Sequence, residues 1–326
     1  MKALVTGASG FIGSHLAEEL SRRGWDVRAL VRPTSSRRWL TAPGVMLIEG
    51  DLQDELALRR AAADVDAVFH LAAVIHASSW EKHRRVNIAG TENLLAACLE
   101  AAPRLQRFVF VSSIAASGPS LKDKPKTEDD PCRPISAYGQ SKLEAEEVAR
   151  RFGAKFPVVI IRPPNVLGAR EREVQALLAA LRYRLKPLLG KKEKQTSFIM
   201  VEDLVEAILL CAEKKEAAGR TYNVTDGRAY SWREPVDILR RLLRRRCLPL
   251  SYGLLYFLAG SAELVFKLVG RKSPVRRCAL RSIRDNYWIF DSARIERELG
   301  FRPRLTLEEG LRRIVASLPG PQPPAA

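Results

Sequence analysis

Apolar residues in the first half of the chain fall into short, nearly unbroken runs, and the stretches between them carry helical spacing. Lys2 to Thr6, Asp26 to Val31, Ala67 to Leu71, Phe108 to Val111 and Val158 to Ile161 read as strands covered on both faces. Ser14 to Arg23, Thr91 to Glu100 and Gln140 to Phe152 place apolar residues at amphipathic helix positions. Strand and helix in regular alternation predict an α/β fold, with a doubly wound parallel sheet clothed by helices on both sides. No internal repeat interrupts the rhythm. After Pro163 the pattern loosens into helices and short strands, which predicts a smaller C-terminal α/β lobe for binding substrate. The expected division is 1–165 for the sheet domain, 166–318 mainly for the lobe, and 319–326 as a flexible, proline-rich tail. Segments near 196–225 are expected to return to the sheet domain. Lys122 to Pro134, polar and rich in proline, reads as a mobile loop beside the site.

Two motifs lie on this scaffold. Directly after the first strand comes Thr6-Gly7-Ala8-Ser9-Gly10-Phe11-Ile12-Gly13, and a helix follows. Gly7 permits the tight turn, Gly10 lets the backbone approach a pyrophosphate, and Gly13 allows helix to pack on strand, while the helix N-terminus offers amide donors to the anion. Strand before and helix after make this a Rossmann-type dinucleotide site rather than a chance cluster of glycines. The second motif is Tyr138-Gly-Gln-Ser-Lys142. Four residues apart on a helix, the two side chains share a face, so the Lys142 ammonium is expected to hold Tyr138 close to its phenolate form. A phenol needs such help to serve as a general acid or base.

With these residues in hand, the chain resembles the extended short-chain dehydrogenase/reductase family, the nicotinamide-dependent epimerases, dehydratases and reductases. The resemblance runs through the glycine motif, Gly50-Asp51-Leu52, His70-Leu71-Ala72-Ala73, Val86-Asn87, Gly90-Thr91, Val111-Ser112-Ser113, Tyr138 to Lys142, Arg162-Pro163-Pro164, Val201-Glu202-Asp203, Tyr222-Asn223-Val224 and Glu298 to Phe301. It implies a catalytic set of Ser113, Tyr138 and Lys142, with Ser112 the neighbour that a slip of one residue would choose. In that scheme Ser113 binds the substrate oxygen, Tyr138 exchanges the hydroxyl proton, and Lys142 binds the nicotinamide ribose. It further implies cofactor contacts at Gly7, Ser9, Gly10, Phe11, Ile12, Gly13, Asp51, Leu52, Leu71, Ala72, Ala73, Asn87, Tyr138, Lys142 and Pro163.

Cofactor preference is read where the second strand ends. An acidic residue there accepts bonds from the ribose hydroxyls of NAD, whereas arginine accommodates the 2′-phosphate of NADP. The chain has Val31 and Arg32, followed by Ser35, Ser36, Arg37 and Arg38, so NADP(H) is the expected cofactor, with NAD(H) the alternative. Asp51 resembles the family's adenine-contacting acid.

Departures from the family bear on substrate. Dehydratases of sugar nucleotides carry an acidic pair after the catalytic serine, where this chain has Ile114 and Ala115. Sugar-nucleotide enzymes also place a diphosphate-binding arginine where Thr196 stands. The Arg-Pro-Gly-Asp type of motif that the resemblance implies before Asp291 is absent too, and Arg281 and Arg284 are the residues nearby that could substitute. Leu248 to Gly270 is strongly apolar and flanked by Arg244 to Arg246 on one side and Arg271, Lys272, Arg276 and Arg277 on the other. It reads as helices lining an apolar pocket or as an interfacial helix on a membrane, and as a poor transmembrane span. These features resemble the 3β-hydroxysteroid dehydrogenase and dihydroflavonol reductase branch. An NAD(P)-dependent oxidoreductase acting on a hydrophobic secondary alcohol or ketone is thus expected. The alternatives are a sugar-nucleotide epimerase holding NAD tightly and a non-catalytic regulator that binds the cofactor.

Composition adds limits. The 326 residues carry 28% charged and 46% hydrophobic side chains, as a soluble globular protein does. A net charge of +17 would suit an anionic membrane or phosphorylated ligands, and no nucleic-acid module accompanies it. Cys98, Cys132, Cys211, Cys247 and Cys278 lack paired spacing, which points to a reducing cytoplasm without disulfides or zinc. The first strand begins at Lys2, leaving no expected signal peptide. His70, His76 and His83 read as structural, and no metal site is expected. A homodimer through Thr91 to Glu100 and Gln140 to Phe152 is a further expectation.

Overall fold

The apolar runs form the centre of one seven-stranded parallel sheet. Its strands are β1 (Lys2–Thr6), β2 (Asp26–Val31), β3 (Val45–Glu49), β4 (Ala67–His70), β5 (Arg107–Val111), β6 (Val158–Arg162) and a last strand, Thr221–Asn223. Their order is Thr221–Asn223, β6, β5, β4, β1, β2, β3. The computed structural model describes residues 1–187, 194–244, 246–268, 277, 280–281 and 285–317, with side chains undescribed at 264–268. The expected tail at 319–326, together with Arg245, Arg271, Lys272, Arg276 and Arg284, lies outside the described residues.

Alternate residues of each strand feed two cores. Ala3, Val5, Phe69, Val109 and Ile161 join one cluster, while Leu4, Val68, Phe108, Phe110 and Ile160 join the other. Burial on both faces is why these strands read as continuous apolar runs. The chain winds outward from β1 toward β3 and then returns to lay β4 on the opposite side of β1, with Thr6 in register with His70. The strand order therefore reverses between β1 and β4, and in open α/β sheets a ligand crevice opens at the carboxyl ends of such a pair. Thr221–Asn223 pairs with β6 from Ile160 to Arg162 and so extends the sheet with a late segment of chain.

The helices begin earlier than sequence periodicity indicated. The first runs from Phe11 to Arg22, entering from inside the glycine motif. The helix that carries Tyr138 runs from Ala137 to Phe152, because the Ser136 hydroxyl accepts from the Gly139 amide and starts it there. Gly10 decides the first start and the Ser136 cap the second, and a pattern of apolar positions registers neither.

A third core, including Leu178, Leu181, Phe198, Met200, Leu239 and Leu311, fills the C-terminal half. Asp203, buried in the first turn of the helix Val201–Glu213, accepts from the amides of Arg304 at 3.0 Å and Leu305 at 3.1 Å. The segment 122–134 is tied down rather than mobile. Lys126 is buried, its ammonium donates to the Ser117 carbonyl at 2.6 Å, its amide bonds Ile289, and Glu128 accepts from the Asn223 amide. Polar composition suggested a loose loop, but here the polar groups serve as anchors. Asp203→Ala is expected to cost about 3 kcal/mol, the loss of two bonds to a buried carboxylate, read as a lower urea midpoint with an unchanged slope.

Candidate active site

The glycine motif forms the floor of the crevice. Gly7 has φ +73°, and a Cβ on it would lie 2.7 Å from the Ala72 amide nitrogen. A Cβ on Gly13 would lie 2.2 Å from the Gly7 carbonyl oxygen. Neither position accepts a side chain, so the loop, the first helix and the Leu71-Ala72 turn after β4 close on one another. Gly10 caps the helix without a side chain, and no acid occupies the first turn, where Ser9, Phe11 and Ile12 flank the amides. This bare, positively polarised helix end fits a pyrophosphate.

His70 secures the turn from below. Its ring bonds the Thr6 hydroxyl through Nδ1 at 2.6 Å and the Thr91 hydroxyl through Nε2 at 2.9 Å. The Thr91 hydroxyl donates to the Asn87 carbonyl, so it accepts from His70 and fixes the proton on Nε2. Burial first, and the Lys142 charge second, hold the His70 imidazole down at about 3, neutral at all ordinary pH. No group of metal ligands occurs among the described residues, and His83 is buried beside Asn87 and the Tyr138 ring.

The structure separates Ser112 from Ser113. Ser112 is buried and donates at 2.5 Å to Glu146, which also accepts from Arg162 at 2.9 and 2.6 Å and from Arg150. Ser113 faces the crevice, caps the short helix Ile114–Ser117, and sets its hydroxyl within hydrogen-bond reach of the Tyr138 phenol. Pro163 is buried, and its carbonyl accepts from the Ile114 amide, bracing that turn.

Lys142 departs from expectation. Its ammonium donates to the Val111 carbonyl at 2.8 Å and lies 4.1 Å over the Phe110 ring. Burial, opposed by the Glu146 charge, lowers it to about 7. Tyr138 is not held near phenolate: enclosure by protein pushes its phenol up to about 12, and only the Ser113 hydroxyl pulls the other way. With the ammonium partly discharged and bonded to Val111, desolvation outweighs the attraction that helical spacing promised. Glu146 stays below the usual carboxylate range, since burial pushes it up but the Arg162 bonds more than offset this.

Other predicted cofactor residues divide into those that face the crevice and those that brace it. Arg32 and Asp51 line a cavity of about 550 Å³ at the ends of β2 and β3, together with Thr34, Glu49 and Arg60. Arg37 is paired with Glu49 at 2.8 Å. Leu52 is buried in the core, and Asn87 spends its amide on the Val74 backbone at 2.8 and 3.0 Å and on Ser141. Ala73 is exposed at the start of the same turn. Sequence reasoning missed Arg60, one basic residue among many. It also missed Arg170, which reaches back to Ser14 at 3.1 Å and Glu18 at 2.7 Å. A second groove, about 440 Å³, runs along Trp80, Pro134, Ile135, Ser136, Ala137 and Gln140, on either side of Tyr138 in the chain.

Comparison with known proteins matches residues 3–225 to the NAD dependent epimerase/dehydratase family. A 4-hydroxy-2-methyl-3-oxo-4-farnesyl-3,4-dihydroquinoline-1-oxide ketoreductase of Stigmatella aurantiaca is 32% identical, covering 95% of each chain. A decarboxylating sterol-4-alpha-carboxylate 3-dehydrogenase of Mus musculus is 27% identical over 97% of this chain and 90% of its own. The structure of MoeE5 in complex with UDP-glucuronic acid and NAD superposes with a TM-score of 0.75 at 28% identity, covering 97% of this chain and 99% of that one.

The two serines should respond differently to alanine. Ser112→Ala is expected to lower stability by about 2 kcal/mol by removing a bond to a buried carboxylate, whereas Ser113→Ala should cost about 1 kcal/mol as a lost cap. Denaturation of both variants checks this. Lys142 supplies a pH signature. The unfolded chain keeps this proton up to 10.5 and the folded chain only to about 7, so stability should fall as pH drops through that window. Lys142→Met should lack this slope, and its advantage over the parent in urea should be larger near the lower limit than near the upper.

Proposed function

Because the chain belongs to the NAD dependent epimerase/dehydratase family, enzymes of the extended short-chain dehydrogenase/reductase type, we propose that it is an NADP(H)-dependent ketoreductase for a hydrophobic substrate. The observation that carries the reading is the Ser113 hydroxyl against the Tyr138 phenol at the carboxyl end of β5, with buried Lys142 one turn behind. The nicotinamide cofactor, when bound, supplies the hydride. Ser113 donates a hydrogen bond to the ketone oxygen and orients the carbonyl. Tyr138, protonated at neutral pH, delivers its proton to that oxygen as the alcohol forms. Lys142 is poised to exchange its Val111 bond for a ribose hydroxyl and to steady the phenolate left behind.

Three features support an apolar ketone over a sugar nucleotide. Thr196, standing where relatives that bind a diphosphate carry arginine, is fully buried and accepts from Asn165 at 3.0 Å. Arg281 donates to the Tyr256 hydroxyl. The groove formed by residues that neighbour Tyr138 in the chain presents Trp80, Pro134 and Ile135 alongside Ser136 and Gln140. The ketoreductase and sterol dehydrogenase relatives favour the same class. Exposed Arg32, with Arg60 across the cavity, supports binding of a 2′-phosphate.

Fluorescence titration tests cofactor choice. NADPH should bind more tightly than NADH, and Arg32→Asp should remove about tenfold or more of that preference, the scale of one charge-assisted contact. NAD retained through purification, with no NADPH preference, would instead support the epimerase reading. Tyr138→Phe should lower kcat for ketone reduction by about a hundredfold or more while leaving NADPH affinity unchanged. Equal loss of both would sink the proposed role.

A further inference from the structure

We propose that the C-terminal lobe carries a docking surface for an anionic phospholipid bilayer, built from the helix Tyr252–Leu268 and the strand pair that precedes it. Leu254, Phe257 and Leu258 recur at helical spacing and are exposed, Phe257 by 69%, while Ala259 on another side is buried. The helix follows two residues after the strand Leu248–Leu250, which pairs in parallel with Leu185–Pro187. In that register Leu248 stands beside Leu185, and both are exposed, as is Tyr183 by 80%. Single exposed apolar residues are ordinary, but six on this helix, the two paired strands before it and the turn leading into them mark an interaction site.

Charge identifies the partner. From Arg240 to Ala262 the sequence contains five arginines and no acid. Arg244 and Arg246 are exposed just before the apolar surface, Arg241 beside them is paired with Glu308 at 3.4 Å, and Arg182 and Arg184 flank Tyr183 on the paired segment. Glu263, where the uncharged run ends, is bound by Arg277 at 2.9 Å. An apolar face bordered by cations suits headgroups that are negative and an acyl boundary that accepts Phe257 and the leucines. No helix among the described residues is long and apolar enough to cross a membrane, so the geometry is that of a helix lying in the interface.

Co-sedimentation of the full chain with vesicles of phosphatidylcholine, alone and mixed with phosphatidylglycerol, tests the surface. Binding is expected to the mixed vesicles and to weaken with added salt. Leu254→Ser with Phe257→Ser should weaken it by about tenfold or more, since two side chains would no longer be buried in lipid. Arg182→Glu with Arg246→Glu should abolish the preference for phosphatidylglycerol. NADPH binding and thermal unfolding should match the parent in both double variants, which separates a lost surface from a lost fold and from failure of the reductase reading. Absence of vesicle binding, or undiminished binding by the serine variant, would overturn the proposal. A dimer in solution that dissociates on Phe257→Ser, without vesicle binding, would assign the face to a second copy of the chain and overturn it equally.

Discussion

Two buried charges fasten the candidate catalytic groups to the sheet. Glu146 and Arg162 are almost fully excluded from solvent and meet through two hydrogen bonds, one charge on the helix that carries Tyr138 and Lys142, the other at the end of β6. Ser112 bonds the same carboxylate from the end of β5. The helix therefore cannot rotate or slide relative to the strand ends without stranding a charge in the interior. Breaking such a pair from one side costs about 3 to 5 kcal/mol, so the geometry at Ser113, Tyr138 and Lys142 is held by a penalty much larger than thermal energy. Replacing both charges by apolar groups could be neutral for stability, but it would remove the directional bonds that fix helix against strand.

Enclosure explains the protonation states. Tyr138 is moved up and Lys142 down, each toward its neutral form, because protein packed around them disfavours charge more than the Ser113 bond and the Glu146 charge favour it. A phenol that keeps its proton near neutral pH is ready to donate to a ketone oxygen. Oxidation of an alcohol would need the phenolate first. The same enclosure makes His70 a permanent neutral linker, so it can join Thr6 to Thr91 without adding charge beneath the dinucleotide crevice.

Much of this was legible in the sequence because burial on both faces writes strands as apolar runs. β2 falls where Asp26 to Val31 indicated, and the glycine motif lies at the reversal of strand order. What was not legible depends on side-chain direction. A run Val111-Ser112-Ser113 does not say which serine turns inward, and the answer comes from Glu146, a partner 34 residues away for Ser112. Leu52 and Asn87 belong to motifs expected to surround a cofactor, and their side chains are buried, that of Asn87 bonded to the Val74 backbone. Polar segment 122–134 looked mobile because composition does not reveal that Asn223 and Ile289 wait to bond it.

The charge of the chain also becomes interpretable only in space. Around the first helix, arginines are met by acids: Arg23 alone contacts Glu19, Glu206 and Glu213, and Arg170 contacts Glu18. Such pairs at the surface add little to stability, but they reduce the local excess of positive charge. From Arg240 to Ala262 the sequence offers no acid, only Arg241 of Arg240, Arg241, Arg244 and Arg246 has a described ion pair, with Glu308 at 3.4 Å, and exposed apolar residues follow at once. An excess of +17 is therefore concentrated toward one lobe rather than spread evenly, and a concentrated field beside an apolar face acts on a surface, where a uniform one would serve only solubility.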